Sequence, residues 1–262
     1  MPTTIQRQSL SRAISVGLRS SMNMLDGLIA ALQLSFSVDP RIIEITLRSL
    51  FVSGSAALIA ALWGIPIATI IAMKDFHGKF LIKTIFNSLI GIPTVALGFL
   101  LFLAFSRENG PLGFLRLLYT PTAVIIGEAI LITPIIVSLA TTAIEAVDPE
   151  IANLAKTLGA SESQASFAVL KEALEGIFLA GIASFNRAIG ELGIAQFVGG
   201  FIYGQTELLT TGIWVELQLG NPRTSIALMI ILLTMVFTIN LALNAIQRMR
   251  GREWKPLLNS ET

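Results

Sequence analysis

Between Asp148 and Glu172 the chain is polar, and on both sides of that segment it consists mainly of apolar runs long enough to cross a lipid bilayer. A hydrocarbon core about 30 Å thick takes roughly 20 apolar residues to cross as a helix, and a helix satisfies its own backbone groups where no water can. With 53% hydrophobic and 13% charged residues in 262, the chain is too apolar for an ordinary soluble domain. The expected fold is therefore all-α and polytopic. Five spans are read, at about 42–73, 82–105, 121–143, 174–198 and 225–246.

The polar segment itself reads as two short helices around a turn. Asp148 followed by Pro149 supplies an N-cap and a first-turn proline. Ile151, Leu154, Ala155 and Leu158 recur at helical spacing, and Gly159 stops the helix. Ser161 with Gln164 three residues on fits a capping box for a second helix. The acids Glu145, Asp148, Glu150, Glu162, Glu172 and Glu175 outnumber Lys156 and Lys171, so a small apolar knob stands in a negative surround. Such a surface suits docking into a basic-rimmed groove on a partner.

Several chemistries are excluded by what the chain lacks. There is no cysteine, which removes disulfides, thiolate metal sites and cysteine nucleophiles. The single histidine, His77, lies in the charged connection Lys74-Asp75-Phe76-His77-Gly78-Lys79 and has no second histidine to form a metal pair. No G-x-x-x-x-G-K-[ST] occurs, so ATP chemistry must belong to another subunit. The net charge of +1 gives no reason to expect nucleic acid.

Taken in order, residues 1–40 form a tail with Arg7, Arg12 and Arg19 and an interfacial helix from Met24 to Val38, too short to span. The transmembrane domain follows over residues 41–247, and residues 248–262 form a basic tail. In the first span Ala57, Ala60, Ala61, Gly64 and Ala68 mark a face for close helix contact, and Pro66 predicts a kink. Gly91-Ile92-Pro93 predicts another in the second. Gly176, Ala180, Ser184 and Ala188 give the fourth span a small-residue face. The glycine-rich stretch from Val198 to Pro222 is expected outside, with a re-entrant or short helical piece. Lysines in the loop after Met73 and Arg248, Arg250, Arg252 and Lys255 at the end place both segments in the cytoplasm. Five spans then put the N-terminus outside and the C-terminus inside.

Asn153-Leu154-Ala155-Lys156-Thr157-Leu158-Gly159-Ala160-Ser161 resembles the coupling loop of ABC importer permeases, the cytoplasmic element that inserts into the ATPase subunit. Asn153 stands where that motif has an acid. The later Leu-Pro is replaced within Val169-Leu170-Lys171-Glu172-Ala173, which is similar to the Leu-Arg-Glu-Ala ending of tungstate-type permeases. The run Ser106-Arg107…Gly110-Pro111-Leu112-Gly113…Tyr119-Thr120-Pro121 is also similar to that branch, with Glu128 where a neutral glutamine is expected. Arg187-Ala188-Ile189-Gly190-Glu191-Leu192-Gly193 resembles the R-x-x-G/S-E-x-G signature of molybdate- and tungstate-type permeases.

The resemblance implies five transmembrane helices in the type I (MetI-like) arrangement and a homodimer with the path on its two-fold axis. It implies two ABC ATPase subunits that hold ATP and magnesium, an external oxyanion-binding protein, and no cofactor in this chain. The implied cargo is tungstate, with molybdate and then sulfate as alternatives. Asn153, Leu154, Ala155, Leu158, Gly159, Ala160 and Ser161 are then the ATPase-coupling residues. A stand-alone channel, secondary carrier or membrane enzyme should show inverted repeats or several acid and histidine groups in mid-span. The chain shows neither.

Ionisable groups inside a membrane helix are costly unless paired or hydrated. Arg187 and Glu191, four residues apart, are expected on one helical face, either lining an anion path or gate or acting as a structural ion pair. Glu128 is read as structural, facing a partner subunit, bonded to Thr133 or Thr141, or protonated in an apolar setting. The pairs Thr141-Thr142 and Thr210-Thr211 can satisfy kinked backbone or bind oxygens, and are read as structural.

Overall fold

A computed structural model describes residues 39–108 and 110–253, with side chains as far as Ala245. The interfacial helix expected at Met24–Val38 and the basic side chains after residue 246 lie outside that description. The described elements are α1 (Pro40–Met73), α2 (Lys79–Leu89), α3 (Thr94–Phe105), α4 (Pro121–Glu145), α5 (Pro149–Thr157), α6 (Glu162–Glu172), α7 (Leu174–Ile189), α8 (Leu209–Gln218) and α9 (Pro222–Glu253). No strand occurs among the described residues.

Three of the five expected spans are continuous helices long and apolar enough to cross: α1, α4 and α9 over Pro222–Ala245. The other two are interrupted: the second bends at the expected Gly91-Ile92-Pro93 kink, and the fourth breaks after Ile189. The second is split, because α2 and α3 meet at 97°. Pro93 has no N–H to donate to a helix running through it, and it bars Ile92 from helical geometry. Neither half is long enough alone, and α2 has no buried residue, with Phe80 and Leu81 fully outward. The fourth span does not run unbroken to Val198: α7 ends at Ile189, and helical backbone resumes only at Gly193, passing into a π-turn over Ala195–Gly199.

The core forms where α1 and α7 pack on α4. Ala56, Ala60, Gly64 and Ala68 are the buried small residues of α1, while Ala57 and Ala61 are only half-buried. Three of the five expected residues, Ala60, Gly64 and Ala68, thus lie in the contact face, with Ala57 and Ala61 at its edge, and Gly64 meets Ile136 and Val137 of α4. The helix runs on through Pro66 without ending. On α7 the expected face holds: Ala180, Ser184 and Ala188 are buried, and Gly176 lies against Ala143. In the absence of a hydrophobic force between helices in lipid, this close approach of backbones is what holds them together.

Candidate coupling surface and translocation path

The hairpin α5–α6 is built by its caps. Asp148 Oδ1 accepts from the Glu150 amide at 2.9 Å. Gly159, at φ +89°, takes the left-handed turn that a side chain resists. The Ser161 amide donates to Gln164 Oε1 at 2.8 Å and the Gln164 amide to Ser161 Oγ at 3.4 Å, closing the expected capping box. Ile151, Ala152, Val169 and Leu170 turn inward onto Ala68, Ala140 and Ile144 at the neighbouring ends of α1 and α4. Leu154 and Leu158 turn away from the protein, 62% and 80% exposed. Asn153, Gly159 and Ser161 share that outward side, and Ala155 and Ala160 are half-buried beneath it. Beside this end, Glu145 pairs with Lys83 at 2.6 Å and Lys79 at 3.6 Å, tying the lysine-rich connection to α4.

Arg187 and Glu191 are paired, Arg187 Nη1 donating to Glu191 Oε2 at 2.7 Å, but not on one helix as the spacing implied. α7 has ended at Ile189, and Glu191 sits in the connection with its amide bonded to Ala188 O. Its other oxygen, Oε1, accepts from the Ile194 amide at 3.2 Å, so the acid caps the next helical piece while holding the end of the previous one. Thr210 donates to Glu191 O at 2.9 Å, fastening α8 to the same point. A Cβ at Gly193 would come within 2.9 Å of Thr94 Oγ1 and 3.1 Å of the Val95 amide, which is how closely the start of α3 approaches. Glu191 is buried, and the Arg187 side chain remains 36% exposed.

Beside this break an open recess of about 740 Å³ is bounded by Val95 and Phe102 of α3, Tyr119, and Gly193, Gln196 and Phe197. Gln196 is exposed in it. Tyr119 carries a positive φ of 65°, its amide donates to Val198 O at 2.8 Å, and its ring covers Gly200. Arg116 and Phe201, each at φ 50°, bring two further side chains into this uncommon conformation at the same end. Gln196 is not marked by any sequence pattern, and Tyr119 stands there only within the run that carries the resemblance. The π-turn that presents Gln196 has no local composition signal.

The sequence model of the family described as "binding-protein-dependent transport system inner membrane component" matches residues 64–255. The chain belongs to that family. A tungstate uptake system permease protein of Peptoclostridium acidaminophilum is 36% identical over 222 residues, covering 85% of this chain and 97% of that one. A probable anion ABC transporter permease protein of Haloferax volcanii is 38% identical, covering 76% and 88%. Among solved structures, the MetNI methionine ABC transporter superposes with a TM-score of 0.65 at 17% identity over 78% of this chain and 93% of that one. A bacterial importer of alginate superposes with 0.68 at 18% identity over 94% and 97%. The fold is thus that of an ABC importer permease, and the chain is a multi-pass membrane component of a transport system.

At the far end of the permease from α5–α6, long-range pairs fix the glycine-rich stretch. Arg41 Nη2 donates to Glu207 Oε1 at 2.7 Å and Glu216 Oε1 at 2.9 Å, and the guanidinium lies 4.3 Å over the Tyr203 ring. Arg48 donates to the carbonyls of Glu207 and Gly204 at 3.1 and 2.9 Å. The Leu209 amide donates to Ser49 Oγ at 2.8 Å. The N-terminal end of α1 therefore clamps both ends of the 204–216 segment, and α8 is the short helical piece expected there.

The remaining polar side chains divide clearly. Thr141 and Thr142 donate to Val137 O and Ser138 O, and Thr211 both donates to Leu208 O and accepts from its amide, so these threonines satisfy local backbone as expected. Of the arrangements open to Glu128, the bond to Thr133 or Thr141 is not made: Thr133 is engaged with Ala129 O and Trp63 Nε1, and Thr141 with Val137 O.

Proposed function

We propose that this permease is the membrane subunit of an ATP-driven importer for a tetrahedral oxyanion, tungstate first and molybdate next. It acts as a homodimer with two ABC ATPase subunits inside and an oxyanion-binding protein outside. The ATPases hold ATP and magnesium, and the chain adds no cofactor of its own. In this reading residues 1–40 form the outer tail, residues 41–247 the transmembrane domain, and residues 248–262 the cytoplasmic tail.

The observation that carries the coupling half of this reading is the capped α5–α6 hairpin with Leu158 and Leu154 outward. An exposed leucine on a rigid, polar hairpin has no use within the subunit, and it is the anchor that a complementary groove would bury. The substrate half is supported by the two relatives named for tungstate and for an anion. The recess beside Glu191 supports it too: a side-chain amide at Gln196 and the Tyr119 hydroxyl are neutral donors. Arg187 at the same break adds the positive charge an oxyanion needs as it sheds water.

The test is uptake into vesicles containing the permease, its ATPase subunits and the loaded binding protein. Accumulation of tungstate should need ATP hydrolysis and be competed by molybdate at lower concentration than by sulfate. Flux that persists without ATP would favour a channel and refute the importer reading. Equal competition by sulfate would refute the tungstate assignment alone.

A further inference from the structure

Asn186 of α7 and Asn240 of α9 form a reciprocal pair. Asn186 Nδ2 donates to Asn240 Oδ1 at 2.7 Å, and Asn240 Nδ2 donates back to Asn186 Oδ1 at 2.9 Å. Asn240 is also fixed from behind, since its Nδ2 donates to Val236 O of its own helix at 2.8 Å. A side-chain amide on an apolar helix is costly unless it finds a partner, and two that satisfy each other hold their helices together. Asn186 stands two residues from both Ser184 and Ala188, about 200° round the helix, so it lies on the side of α7 away from the buried small-residue face. α7 is thus packed closely on one side and bracketed to α9 on the other.

The position of the pair gives it a task. α9 is held at two places. At its N-terminal end Ser225 Oγ donates to Ile213 O of α8 at 2.8 Å, and Leu228 is buried with Ile42 and Ile45 of α1 and with Leu209. That end belongs with the segment that Arg41 clamps. The second place is Asn240, about 18 Å further along the helix, where Phe237 and Leu241 on either side are exposed. Between Asn186 and Asn240 the chain leaves α7, breaks at Gly190, passes the recess and returns along α9. The amide pair therefore closes a loop across the break. We propose that the Asn186–Asn240 pair is a bracket that makes the end of α7 and α9 move as one body during transport, confining motion at the break to the recess wall between Glu191 and Gly200. Both asparagines are positioning residues and act through the helices they join. The inference rests on the transport reading above.

The chain has no cysteine, so N186C/N240C gives one thiol pair. In the complex with ATPase subunits and loaded binding protein, a short bis-methanethiosulfonate joins the two thiols and dithiothreitol releases them. Helices that move as one should show ATP-dependent uptake with the bridge in place at least equal to that after release. Uptake lost on bridging and recovered on release shows that the helices must part, and overturns the proposal. Thiols that are never joined overturn it too. A parent complex without ATP-dependent uptake overturns the transport reading instead, so the two failures are distinct.

A second variant separates a bracket from simple glue. N186L/N240L replaces both amides by apolar groups of the same branching, which leaves no polar group unpaired and should change the melting temperature little. Glue alone would alter the amount of folded complex and leave the ATP hydrolysed per ion as it was. With the bracket gone the break absorbs part of the stroke, and ATP hydrolysed per ion should rise about five-fold, at the low end of coupling between sites. A ratio equal to that of the parent overturns the bracket, and if this variant fails to fold the bridged pair still decides. Should the complex move a different anion, both comparisons are made with that anion.

Discussion

Leu158→Ala should weaken the grip of the permease on its ATPase while leaving the permease itself unchanged. Leu158 is 80% exposed, so the isolated subunit loses almost no buried contact on truncation and its melting temperature should stay within the small range of surface substitutions. Three carbons are removed, each worth about 0.8 kcal/mol when fully buried. Scaled by the 80% of the side chain still open to burial, the loss is about 2 kcal/mol per docked hairpin, or roughly 30-fold in affinity. The assay is titration of purified ATPase subunit onto the permease in detergent, with the stimulation of ATP hydrolysis by loaded binding protein as a second readout. Unchanged affinity would refute the assignment of the knob. A fall in melting temperature comparable to the loss in binding would show that Leu158 is structural instead.

Gly176→Val should lower the melting temperature, by about 1–3 kcal/mol of overpacking, since a Cβ at Gly176 would stand 2.4 Å from Ala143 Cβ; an unshifted thermal transition would contradict the α4–α7 packing. Ala173→Pro should leave ATPase docking in place and abolish uptake, because it removes the bond from the Ala173 amide to Val169 O at 2.9 Å and bends the join between α6 and α7; normal uptake would show that the join carries no motion. The chain has no cysteine, so Gln196→Cys gives a single thiol. An anionic methanethiosulfonate should label it, tungstate should slow the labelling, and a thiol that never reacts would place Gln196 away from the aqueous path.

The α5–α6 hairpin was legible because the caps and the turn that shape it are local. Asp148 caps a helix two residues on, Gly159 turns the chain, and Ser161 and Gln164 close a box across three residues. Helix existence in the long apolar runs was legible for the same reason. The face of α1 was legible in Ala60, Gly64 and Ala68, while Ala56 was missed because small side chains stand at 56, 57, 60 and 61 alike. The break after Ile189 was missed although Gly190 caps α7 and Gly193 follows three residues on; what fixes it, the bond from Glu191 Oε1 to Ile194 and the hydroxyl of Thr210 nineteen residues away, lies outside that local signal. The clamp of Arg41 on Glu207 and Glu216 spans 166 and 175 residues, a pairing that no window along the sequence can contain.

These features make one mechanical line through the permease. α6 runs into α7 through Ala173 with no intervening loop: the Ala173 amide reaches Val169 O and the Ile177 amide reaches Ala173 O, both at 2.9 Å. In the proposed coupling, an ATPase that displaces Leu158 and Leu154 would move α6 and, through this direct join, the helix that carries Arg187. A helix that continued unbroken past Ile189 would drag the recess wall rigidly with it. The interruption at Gly190 instead makes the connection a joint, held by the Arg187–Glu191 pair on one side and by Thr210 and the Ile194 amide on the other. Beyond it, Arg41, Arg48 and Ser49 pin the 204–216 segment to the N-terminal end of α1. In the proposed coupling, motion entering at the hairpin would be concentrated where Glu191 pairs with Arg187, next to the recess lined by Gln196 and Tyr119.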